Sequence, residues 1–165
     1  MSTFTKKHKY GLSIVVAIII TLSVNTVLVS ASQNIIYLEA TTDPNETEGT
    51  ISLAVFVNTE SPIKVVGGTI VFDTEALEVI DTEINRSLVK LWAVKPSYNK
   101  GSNTIDFGGG ILNEGGFVGE GEIFTILFKR KLATETSVSF KGAILLAHDG
   151  KGSDVLSETK NVLLK

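Results

Sequence analysis

From Asn34 to Lys165, short apolar runs alternate with turn clusters, and this rhythm leaves room for little but a sheet protein. "TISLAVFVN" places Ile51, Leu53, Val55 and Val57 on one face at period two. "NIIYLEA", "VVGGTIVFD", "NTIDFGG", "GEIFTILFKRK", "TSVSFK", "AILLA" and "NVLLK" read as further strands. In "LEVIDTEI", Leu77, Val79 and Asp81 alternate against Glu78, Ile80 and Thr82. "DPNETEG" and "TESPIK" are turn clusters, and Pro62 limits any strand that contains it. Only "SLVKLWAV", Ser87 to Val94, has room for a helical turn. Short strands at fairly regular spacing predict an all-β sandwich.

The first residues differ in kind. "MSTFTKKHKY" carries Lys6, Lys7 and Lys9 and no acid; an uncharged apolar run follows, and Val29 and Ala31 have the small-residue spacing of a signal-peptidase site. Residues 1–31 therefore read as a signal peptide cleaved after Ala31, or as an uncleaved membrane anchor. Gly11 to Ala31 is 21 residues, enough to cross a hydrocarbon layer of roughly 30 Å. Asn25 and Thr26 interrupt the run and favour cleavage. Either way, residues 33–165 form a domain expected outside the cytoplasm, secreted or held at the cell surface, and any membrane contact runs through the N-terminal segment. That domain has 12 basic residues against 18 acids, a formal charge of −6. Such a balance argues against nucleic acid and anionic lipid as partners. The chain has no cysteine, which excludes thiol catalysis and cysteine zinc sites.

"DFGGGILNEGGFVGEGEIFTILFK", Asp106 to Lys129, holds seven glycines. A phosphate loop would need a helix start and usually a following Lys and Ser/Thr. Here the glycines lead into a β-prone run, no "GK[ST]" occurs, and Asp106, Glu114, Glu120 and Glu122 would repel a phosphate. The glycines instead predict tight turns, bulges and close backbone approach.

Little else points to reaction chemistry. His148 is the single histidine beyond the leader, and Asp149 and Ser153 share its loop. Residues so close on one loop do not readily converge as a triad. The acids are numerous enough for a carboxylate pair to arise by chance, and most read as solvated strand and turn positions. "HDGKGSD" offers Asp149 and Asp154 as hard oxygen ligands for a structural calcium, without EF-hand spacing, although Asp-Gly is also an ordinary turn pair. No other cofactor is expected. Trp92 and Tyr98 lie in the turn-rich "LWAVKPSYNKGSN" and are candidates for stacking on a sugar or anchoring an interface, unless Trp92 plugs an open end of the sandwich. Phe107 and Phe117, among the glycines, either cover the same region or fill the core.

Three segments resemble cohesin domains. "GGTIVFDTEALEVID" resembles the strand and "Y/FDP-x-x-L-x-V" turn of that family, with Phe72, Asp73, Leu77 and Val79 in place and Thr74 where proline is usual. "GEGEIFTILFKRKLATETSVSF" resembles its "G-x-L-F-T-I-x-F-K-A" strand, and "LLAHDGKGSDVL" its late "A-N-D-G-x-G" loop, with His148 replacing Asn. The resemblance spans nearly all of the exported part. It implies a jelly-roll sandwich of about nine strands, shared with carbohydrate-binding modules, and non-catalytic binding rather than an enzyme. The implied partner is a dockerin-like protein, a small calcium-loaded module, met on a sheet near the glycine-rich region. The alternative is a carbohydrate-binding module that stacks polysaccharide on Trp92 and Tyr98. A purely structural envelope domain is a third reading. No dockerin calcium loop "D-x-N-x-D-G" is present, so this chain would be the receptor side.

Overall fold

The computed structural model describes residues 33–41 and 49–165. The leader, its cleavage point and residues 42–48 lie outside the described residues. Among the described residues there is no helix; nine strands run β1 Ile35–Thr41, β2 Thr50–Val71, β3 Leu77–Glu83, β4 Leu91–Val94, β5 Thr104–Gly110, β6 Phe117–Arg130, β7 Thr136–Ala147, β8 Glu158–Lys160 and β9 Val162–Leu164.

β2 organises everything else. Its first half, Thr50 to Thr59, pairs with β1 on one side and β6 on the other. Its second half, Ile63 to Val71, pairs with β5 and β7. The β2–β6 register shifts between Thr59 and Ile63, where Pro62 has no N–H to give a ladder. The strand bends there and passes from one layer of the sandwich to the other. The first layer runs β3-β6-β2-β1-β8, and the second runs β4-β5-β2-β7, extended by β9 on the first residues of β7. The "TESPIK" turn of the sequence reading is thus a bend inside one 22-residue strand.

Period-two alternation supplies the core. Ile36, Leu53, Val55 and Val57 from the first layer meet Val66, Ile70, Ile105 and Leu145 from the second, all fully buried. Phenylalanines bridge the layers. Phe107 on β5 packs on Phe124 of β6 with centroids 5.1 Å apart, and Phe72 packs on Phe128 at 5.2 Å. Each such buried ring contributes about 1.5–3 kcal/mol by leaving water.

Two further expectations are corrected. Asp81 does not share a face with Leu77 and Val79, because a register shift between Val79 and Asp81 turns the strand outward; Leu77 and Val79 are buried and Asp81 is exposed. "SLVKLWAV" holds no helical turn: residues 91–94 form β4, and the Ser87 side chain caps Val89 N–H at 3.0 Å.

Several polar side chains are buried in this frame, Asn34 among them. Asn34 is 3 % exposed. Its Oδ1 accepts from the Thr59 hydroxyl at 2.8 Å and from the N–H groups of Glu60 and Ser61 at 3.0 and 3.2 Å. Its Nδ2 donates to the Val155 carbonyl at 3.0 Å and to Ser61 Oγ at 3.3 Å. One side chain therefore ties the start of β1 to the bend of β2 and to the segment before β8.

Candidate functional site

Gly108, Gly109 and Gly110 of the glycine run fall on β5, an inner strand of an open sheet face. β5 lies beside β2 with Gly110 opposite Val65, Gly108 opposite Gly67, Asp106 opposite Thr69 and Thr104 opposite Val71. Ile105 and Phe107 point into the core, so this series points outward. On the far side of β2, Leu146 stands opposite Val65 and Ile144 opposite Gly67. On the far side of β5, Leu91 stands opposite Gly110 and Val94 opposite Gly108.

The result is a trough. Gly67, Gly108 and Gly110 leave its floor bare, while Leu91 and Ile144 form walls. The open cleft measures about 620 Å³ and is lined almost wholly by apolar atoms. Its walls are unusually uncovered: Leu91 is 65 % exposed and Ile144 37 %. Beyond the trough the face turns polar. The Thr69 hydroxyl donates to Asp106 at 2.6 Å, and Lys141 lies opposite Thr69.

The glycines of this run do different jobs. A Cβ on Gly108 would meet nothing nearer than 3.9 Å, so its side is open trough. A Cβ on Gly109 would lie 2.6 Å from the Leu91 carbonyl oxygen and 2.6 Å from Val89 Cγ1. Gly109 is what lets β4 come close enough to build the wall.

The four aromatic candidates separate. Trp92, on β4 opposite Gly109, is half-buried against the core and borders the trough. Phe107 is 3 % exposed; it fills the core beneath the trough rather than covering it. Tyr98 packs on Phe72, centroids 6.0 Å apart, and its hydroxyl accepts from Gly101 N–H at 3.2 Å. Phe117 packs against the core beside Gly121. Sequence reasoning missed Leu91, Val65 and Ile144; their signal was apolar residues at the outward positions of strands flanking glycines.

In the late loop, Asp149 Oδ1 accepts from the N–H groups of Lys151 and Gly152 at 2.8 and 3.1 Å, and Oδ2 from the Ser153 hydroxyl at 2.5 Å. The Ser153 hydroxyl, followed by the Lys151 N–H, holds this carboxyl below the usual carboxylate range. Asp154 Oδ1 accepts from Leu145 and Leu156 N–H at 3.1 and 3.0 Å. Both carboxylates are engaged in shaping the turn, and among the described residues no three His, Asp or Glu groups gather as a ligand set. Ser153 bonds Asp149, so the loop does not build the serine–histidine pair that a nucleophile needs.

No family model and no curated protein sequence matches the chain. Solved structures do. A non-cellulosomal cohesin from the hyperthermophilic archaeon Archaeoglobus fulgidus is 18 % identical, covers 81 % of this chain and 89 % of its own, and superposes with a TM-score of 0.57. The seventh ScaB type I cohesin of Pseudobacteroides cellulosolvens is 16 % identical over 79 % of this chain and 90 % of its own, TM-score 0.60. The sixth cohesin of scaffoldin B from Acetivibrio cellulolyticus, solved in complex with a Cel5 dockerin, is 14 % identical over 79 % and 96 %, TM-score 0.58. At these identities the likeness establishes the fold, which is a cohesin-like β-sandwich.

Proposed function

We propose that this domain is a non-catalytic protein-interaction module, displayed outside the cytoplasm, that receives a dockerin-like partner on the outer face of its second layer. The glycine-floored trough carries the reading. A flat sheet normally offers side chains to solvent; here it offers a bare floor between exposed Leu91 and Ile144, a shape suited to an apolar anchor from another protein. Asp106 and Lys141 at the polar end would fix orientation, since rim charges set register more than affinity. The cohesin solved with a dockerin supports a partner of that kind. The basic, then apolar, leader supports export.

The test is capture from an envelope extract of the source cell on the immobilised protein in calcium buffer, followed by elution with EGTA. A calcium-loaded partner is expected in the eluate. Leu91→Glu, which puts a charge on the trough wall, is expected to weaken its retention at least about tenfold. Equal retention by both baits would contradict the assignment.

A further inference from the structure

The outer face of the first layer carries a feature of its own. Tyr37 on β1 stands directly opposite Phe56 on β2. Their neighbours Ile36, Leu38, Val55 and Val57 are buried, so this pair points outward. The rings stack with centroids 5.4 Å apart and planes within 19°. Both are only half-buried, forming one apolar ridge two rings wide.

Polar groups of several kinds flank the ridge. Lys160 of β8 is next to Tyr37, Glu122 of β6 is next to Phe56, and the following pair across is Asn58 and Glu120. Glu122 is fixed: its Oε2 lies 2.9 Å from Arg86 Nε, and its Oε1 accepts from the Thr125 hydroxyl at 2.9 Å. Partial burial, and then the Glu120 carboxylate that the phenol hydrogen-bonds, push the Tyr37 pKa to about 12. Tyr37 is therefore neutral at every physiological pH.

The mixture of groups selects the ligand. An anion would meet Glu120 and a cation would meet Lys160, while Glu122 is already held by Arg86 and Thr125. A neutral polyhydroxylated ring satisfies all of them. Its C–H groups pack on the aromatic ridge, and its hydroxyls donate to the Glu120 carboxylate and accept from the Lys160 ammonium and the Asn58 amide. We propose that the Tyr37–Phe56 ridge is a binding site for a neutral polysaccharide. It sits on the opposite layer from the trough, so a glycan and a protein partner can be held together.

Native gel electrophoresis of the full chain in gels containing hydroxyethyl cellulose, xylan or mixed-linkage β-glucan tests this. At least one polymer is expected to retard the protein. Phe56→Thr, which suits an outward strand position, is expected to weaken the retardation about tenfold, and Asn58→Ala several-fold. Leu91→Glu is expected to leave it unchanged. Retardation by none of the three polymers overturns the proposal. So does retardation that survives both Phe56→Thr and Asn58→Ala, or binding of octalysine in their place. Asn58→Ala keeps the test decisive if Phe56→Thr does not fold.

Discussion

Replacing Asn34 by alanine is expected to destabilise the domain by about 1–3 kcal/mol, the range for leaving hydrogen-bond partners unsatisfied. The side chain serves five partners and is 3 % exposed. Truncation removes the amide that meets Glu60 N–H and the Val155 carbonyl, at bonds that are part-buried. Thr59, itself 1 % exposed, can give its single hydroxyl proton to the Ser61 carbonyl 2.7 Å away instead, so the loss is partial. Urea unfolding measures it directly: the midpoint should fall with little change in slope. Glu39→Ala, an exposed position on β1, serves as control and should shift stability by less than about 0.5 kcal/mol. Equal midpoints for the two variants would mean that Asn34 does not hold the bend.

Gly109→Ala is expected to be comparably damaging for a steric reason. The new methyl would sit 2.6 Å from a backbone oxygen of β4, which cannot swing aside as a side-chain tip can. Either β4 separates from β5 or β5 shifts in the core; overpacking of this kind costs about 1–3 kcal/mol or more. Hydrogen exchange should locate the damage, with protection lost first at Leu91 to Val94. Gly121→Ala offers a contrast. Its close contacts are side-chain ends only, the Leu88 methyl at 2.5 Å and the Phe117 ring at 2.9 Å, so side chains rather than backbone have to give. A Gly109→Ala protein with native stability and protected β4 amides would show that the strand pairing tolerates a side chain there.

Much of the fold was legible because period-two patterns are local. The face that Ile51, Leu53, Val55 and Val57 share follows from the pleat alone. Local reading failed where a single residue resets the phase. The shift after Val79 moves Asp81 to solvent, and nothing in "LEVIDTEI" marks it. Pro62 was rightly suspected of interrupting a ladder, but only the pairing of β2 with four different strands shows that the chain bends there rather than turns back. The trough was half legible. "DFGGG" announced close approach, whereas its walls, Leu91 and Ile144, come from strands far apart in sequence whose register no local pattern states. The same holds for Tyr37 and Phe56, two unremarkable residues until β1 and β2 align them.

The central claim, that the bare trough is the docking face, is tested most directly by filling it without disturbing anything else. A Cβ at Gly108 meets ordinary space, and a strand accepts leucine at least as well as glycine. Gly108→Leu should therefore unfold in urea within about 0.5 kcal/mol of the parent. In the capture experiment, the same protein should lose the EGTA-released partner. Retention of that partner by a folded Gly108→Leu protein at the parent's level would place the interface elsewhere and contradict the account.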